Sequence, residues 1–109
     1  DHFRRLHARR YATVSDAYDA GIAIYDGTDA GGGLAHGLIA AEEAELARAG
    51  LPVNAALSAT TWGARDWLGR EGLTEGAPAD LVVYDADPRE DIRVLSAPHH
   101  ILLRGTPVP

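Results

Sequence analysis

The stretch Ile22-Ala23-Ile24-Tyr25-Asp26-Gly27-Thr28-Asp29-Ala30-Gly31 decides how the chain is read. Its first four residues are apolar and too few for a helix, which predicts a buried strand of the kind found in parallel sheets. The strand runs into a glycine-rich turn with a carboxylate, Asp29, at its mouth, and a helix is expected to start near His36. Strand, acid-bearing loop and helix in that order form a βα unit, which presents reactive groups at the carboxyl end of the strand. Residues 27–37 hold Gly27, Gly31, Gly32, Gly33 and Gly37, a density that frees the backbone for positive φ and for close approach to a ligand.

Working outward, Phe3, Leu6, Ala8, Tyr11, Val14, Ala17 and Tyr18 recur at helical spacing. They predict one helix, or two with a break near Thr13, ended by Gly21. Beyond the loop, Leu38, Ile39, Leu46 and Ala49 set an apolar stripe against Glu42, Glu43, Glu45 and Arg48, and Gly50 closes that helix. Asn54 is placed to cap another helix, in which Leu57, Thr61, Ala64 and Leu68 follow i, i+4 spacing up to Gly69. Then the texture changes. Gly72, Gly76 and Pro78 mark turns, residues 80–85 read as a strand, Asp87-Pro88 turns out of it, and residues 101–103 form a last strand. No crossover helix separates these two strands, so they predict a small antiparallel or mixed sheet distinct from the one containing Ile22. The expected fold class is α/β, divided into residues 1–69 and 70–109.

Composition sets the limits. A chain of 109 residues is expected to bury roughly two thirds of the surface its unfolded form exposes. It contains no Met and begins at Asp1, which predicts a piece of a longer protein. All ten basic residues are Arg, so lysine chemistry has to come from elsewhere. A net charge of -6 with acids spread along the chain argues against nucleic acid as a partner. The absence of cysteine excludes disulfides and thiolate metal sites and is compatible with a cytoplasmic setting. No apolar run approaches the ~20 residues that span a bilayer, so no membrane partner is expected.

Asp29 is the leading candidate for chemistry. A carboxylate at a strand end can ligate a divalent metal and take a proton from the water that metal binds; it can equally cap the loop through backbone amides, as Asx residues do. His36 could reach the same cavity to bind substrate or position a lid, or could simply hydrogen-bond backbone at a helix entry. Gly31-Gly32-Gly33 before a helix could cradle an anion, but lacks the Lys and Ser or Thr of a P-loop. His99 and His100 are adjacent on a strand and expected on opposite faces, hence structural. Trp62 and Trp67 read as packing residues.

Taken together, these segments resemble the C-terminal part of the amidohydrolase superfamily, in particular its imidazolonepropionase-like and prolidase-like members. The residues that carry the likeness are Gly27-Thr28-Asp29-Ala30-Gly31 with His36-Gly37, Ala59-Thr60 with Ala64, Leu68 and Gly69, the stretch 79–88 from Ala79-Asp80-Leu81 to Asp87-Pro88, and residues 101–108. The resemblance implies the last strand and following helices of a metal-dependent hydrolase βα-barrel, plus strands of its small β-sandwich. It implies hydrolysis of C–N bonds in a small-molecule or dipeptide-like substrate, with a divalent metal, expected to be zinc. Asp29 would be metal ligand and general base and acid, while Gly31 and His36 would contact substrate. The family's other ligands, a His-x-His pair, a carboxylated lysine or its substitute and two further histidines, match no position here. The chain alone is therefore expected to be inactive and to associate with itself or with the missing N-terminal part. The rival expectation is a non-catalytic α/β module whose Gly-rich loop binds a ligand.

Overall fold

The computed structural model describes residues 1–109 as a small α/β domain of five α-helices and one three-stranded antiparallel sheet. The helices are α1 (His2–Ala8), α2 (Arg10–Asp19), α3 (Ile39–Arg48), α4 (Val53–Thr60) and α5 (Trp62–Trp67). The strands are β1 (Leu81–Val83), β2 (His100–Leu103) and β3 (Thr106–Pro107), with a 3₁₀ helix at Ile92–Ser96 between the first two.

Three glycines end helices by one mechanism. At Gly21 (φ 78°) the amides of Gly21 and Ile22 donate to the carbonyls of Tyr18 and Ala17. The same paired bonds recur at Gly50 (φ 105°) and Gly69 (φ 64°), which is the Schellman arrangement that a left-handed residue makes available. Two helices break where spacing alone did not place the break. The first divides at Arg9 rather than near Thr13, Arg9 N–H being shared between the carbonyls of Arg5 and Leu6. The second divides at Thr61, whose hydroxyl, like that of Thr60, bonds back to the Leu57 carbonyl and draws the turn out of line. Pro52, not Asn54, stands at the amino end of α4, its carbonyl accepting from Ala55 and Ala56.

In the sheet, Leu81 pairs with Leu102 and Val83 with His100, and Leu103 pairs with Thr106 across a two-residue turn. Both turn residues have positive φ, Arg104 at 50° and Gly105 at 78°, the hand that matches strand twist in a tight hairpin. The turn is tied to the entry of β1: Arg104 N–H donates to the Asp80 carboxylate at 2.7 Å, and Gly105 N–H to the Ala79 carbonyl at 3.0 Å.

The core is small. Ala49, Leu51, Ala56, Leu57, Ala59 and Leu95 are its buried apolar residues, contributed by α4, the α3–α4 connection and the 3₁₀ helix, and Glu43 of α3 is buried with them. The accessible surface is 8128 Å², against about 5,800 Å² for a self-contained globule of this size. The chain thus buries about half of its extended surface rather than the expected two thirds. A radius of gyration of 15.3 Å, against about 13 Å for a compact chain of this length, agrees.

The strand expected over residues 22–25 is not formed. The backbone groups of Ala23, Ile24 and Tyr25 make no hydrogen bond within the chain, and Ile22 and Tyr25 are 60% and 40% exposed. The physical reason is the lack of a neighbour. A parallel strand requires partners brought by crossovers, and the one sheet present pairs residues 81–107 among themselves. Trp62 and Trp67, expected to pack inside, are exposed for the same lack of cover, although Trp67 stacks on Tyr25 with ring centroids 4.8 Å apart.

Candidate functional site

The site is organised by the unpaired segment that follows Gly21. Its side chains alternate as in a strand even though its backbone is unpaired. Ile24, Asp26, Thr28 and Ala30 are half-buried, whereas Ala23, Tyr25, Gly27 and Asp29 are exposed. One bond fixes the phase, from Asp26 N–H to the Ala59 carbonyl of α4 at 3.1 Å. Tyr18, Ile22, Ile24, Tyr25, Leu51 and Ala59 border a shallow groove of about 240 Å³ along the segment.

At the end of the segment Asp29 takes φ 50°, a left-handed conformation that Asp tolerates better than most residues. Its side chain faces the open side. The loop beyond closes through Gly31 N–H donating to the Leu34 carbonyl at 3.2 Å. His36 folds back over Gly31: a Cβ there would lie 3.6 Å from Cε1 and 3.7 Å from Nε2 of the imidazole. Gly31 and His36 are therefore brought together, two residues from Asp29. No group of three or more His, Asp or Glu side chains is placed to hold a metal. A catalytic zinc takes three protein ligands, so Asp29 and His36 are too few donors to form the site by themselves.

A second acidic pair was not singled out in the sequence. Asp26 Oδ2 is buried without a hydrogen-bond partner, and Glu43 is only 5% exposed, accepting a hydrogen bond from the Thr60 hydroxyl. Burial pushes the Asp26 carboxyl up from its ordinary range and the charge of Glu42 adds to this, against a bond from the Gly27 amide. Burial raises Glu43 too, offset by Thr60 and reinforced by Asp26. The Tyr84 phenol is raised by burial and by the charge of Glu43. The signal was present. Glu43 lies four residues after Ile39 and three before Leu46, on the apolar stripe, and Asp26 shares the phase of Ile24.

The other candidates separate from this region. His99 Nδ1 lies 2.9 Å from Asp85 Oδ1, and its ring meets that of His100 edge-on at 4.3 Å. The two imidazoles do not take opposite faces, because only His100 belongs to the strand. A larger concavity of about 660 Å³ is lined by Arg65, Gly69, Arg70, Glu71, Pro78 and Asp80. Arg65 is committed there, donating to the carbonyls of Glu71 at 2.7 Å and Asp80 at 2.8 Å.

No protein-family model matches the chain. It is similar to uncharacterized proteins of Mycobacterium bovis and of two strains of Mycobacterium tuberculosis, each 49% identical over 104 residues. The match covers 95% of this chain and 28% of each relative, so the chain spans little more than a quarter of the length of these proteins. No helix is long and apolar enough to cross a membrane.

Proposed function

We propose that the chain is the C-terminal portion of a metal-dependent amidohydrolase that cleaves C–N bonds of amide, peptide or cyclic amide type. The observation that carries this reading is the alternation from Ala23 to Ala30 on a backbone that joins no sheet. It is the side-chain order of a barrel strand whose neighbours lie elsewhere in the polypeptide, and it leaves Asp29 at the strand's carboxyl end on the open side. Residues 70–109 then contribute strands to the small β-sandwich. The setting is cytoplasmic.

Within that site Asp29 accepts a proton from the attacking water and returns it to the leaving nitrogen, a role suited to an exposed carboxylate at the end of a strand. His36 and Gly31 hold the substrate, the imidazole lying over the side-chain-free face of the glycine. A divalent metal, zinc in this reading, supplies activation of the water when bound, and its remaining ligands come from outside these 109 residues.

The test uses a longer polypeptide that contains this segment, assayed on a panel of N-acyl amino acids, dipeptides and cyclic amides, with metal content measured by mass spectrometry. Asp29→Asn should lower kcat about 10²–10⁴-fold without unfolding the protein, while the 109-residue chain alone stays inactive and metal-free. Undiminished turnover in the Asn variant, or stoichiometric zinc on the isolated chain, overturns the reading.

A further inference from the structure

The amino-terminal helix carries a charge opposite to the rest of the molecule. Residues 1–10 hold Arg4, Arg5, Arg9 and Arg10 against the single acid Asp1, whereas residues 11–109 hold six arginines against fifteen carboxylates. These arginines are largely unneutralised. Arg4 stands 3.9 Å from Asp1 with both side chains well exposed, and Arg5, Arg9 and Arg10 pair with no carboxylate. Every residue from 1 to 10 is exposed, including Phe3 at 78% and Leu6 at 55%. At 100° per residue Phe3, Leu6 and His7 share one face of α1 with Arg4 on its flank, and Arg9 follows at the cap where the helix ends.

The complement lies in the same chain. Loop residues Glu71-Gly72-Leu73-Thr74-Glu75 present Leu73, 80% exposed, between two carboxylates that form no ion pair. Leu73 and Phe3 are the two most exposed large apolar side chains of the molecule. The loop is preset: Arg65 holds the Glu71 carbonyl, Thr74 N–H donates to Gly72 and Ala77 N–H to Thr74. Because Phe3 and Leu73 both remain open, the two surfaces do not meet within one copy.

We propose that α1 of one copy docks onto loop 71–75 of a second copy, with Phe3 and Leu6 against Leu73 and with Arg4 and Arg9 facing Glu71 and Glu75. The contact is heterologous, one surface meeting a different one, and so propagates into a ring or a short filament rather than closing a two-fold dimer. An anionic membrane offers a rival partner to the helix, but the acidic loop and the acidic remainder of the chain oppose that surface, whereas a second copy satisfies both. The proposal is independent of the hydrolase reading.

Sedimentation velocity on the 109-residue chain tests it by charge exchange. The parent should associate at about 0.05 M salt and dissociate at least about tenfold more readily at about 0.5 M, where the screening length falls from about 14 Å to about 4 Å. Arg4→Glu with Arg9→Glu, and separately Glu71→Arg with Glu75→Arg, should each give monomers with unchanged circular dichroism. Mixing these two double variants should restore association, since each supplies the charge the other has lost. A parent that stays monomeric at its highest soluble concentration overturns the proposal. So do variants that still associate alone, a mixture that remains monomeric, or a parent that binds phosphatidylglycerol vesicles without self-associating.

Discussion

At the scale of single residues, two positions carry most of the local constraint. Gly63 allows α4 and α5 to meet: a Cβ there would lie 2.8 Å from the Ser58 carbonyl oxygen, closer than real Cβ contacts come. Gly63→Ala should therefore cost about 1–3 kcal/mol, as overpacking does, lowering Tm by about 4–8 °C per kcal/mol. Gly72→Ala, with nothing near its added methyl, should stay within about 0.5 kcal/mol of the parent in the same melts. Glu43 is a different case, because its carboxyl is raised in the folded state. The native protein then holds that proton more tightly than the unfolded chain. The stability that Glu43 contributes is fully present below the ordinary glutamate range and is lost as pH rises from there through the raised value. Glu43→Gln keeps an acceptor for the Thr60 hydroxyl and removes the charge. Its Tm should exceed the parent's at pH 7 and vary less between pH 4 and 7; parallel Tm curves for the two proteins would refute this.

At the scale of elements, the β2–β3 hairpin holds Arg104 in a conformation that costs a residue with a branched-off Cβ about 1–2 kcal/mol. Asn tolerates that conformation and is preferred at this turn position, so Arg104→Asn should raise stability by about 1 kcal/mol, measurable in urea unfolding as a higher midpoint at constant m. The backbone bond to Asp80 is unaffected by the change, so a lower midpoint would mean that the arginine side chain matters in some other way. The elements readable from sequence were those whose determinants are local. Gly21, Gly50 and Gly69 ended helices because a left-handed glycine closes a helix whatever surrounds it, and the strands near Leu81 and Ile101 paired as expected because both partners lie in the chain. What spacing missed depended on tertiary partners. The break at Thr61 arises from side-chain competition for the Leu57 carbonyl, and the segment after Gly21 keeps strand alternation without strand pairing because the strands present pair only among themselves. Of the candidate site, the loop itself was legible from its glycine content, whereas the contact of His36 with Gly31 was not, because it depends on how the loop folds back. The burial of Asp26 and Glu43 was not legible either, because their charge places them on the polar face by composition although their spacing shares the phase of Ile24 and of Ile39 and Leu46.

At the scale of the whole molecule, the excess surface has a calorimetric consequence. Heat capacity of unfolding follows the area exposed, and the chain buries about a fifth less than a globule of its size. Its ΔCp should therefore fall about a fifth below the ordinary range of about 12–15 cal/mol/K per residue. A value inside that range in scanning calorimetry at low concentration, where the chain is monomeric, would contradict the open form. Openness also changes what the single bond between Asp26 and Ala59 accomplishes. Side chains on an extended segment come in two parities, and a slip of one residue exchanges them. By anchoring one amide to α4, the chain fixes parity without a paired strand: Asp26 is half-buried and Asp29 exposed. In the proposed barrel, a strand alongside could shift its own register but would inherit the facing of these two carboxylates, because the bond to Ala59 has already set it.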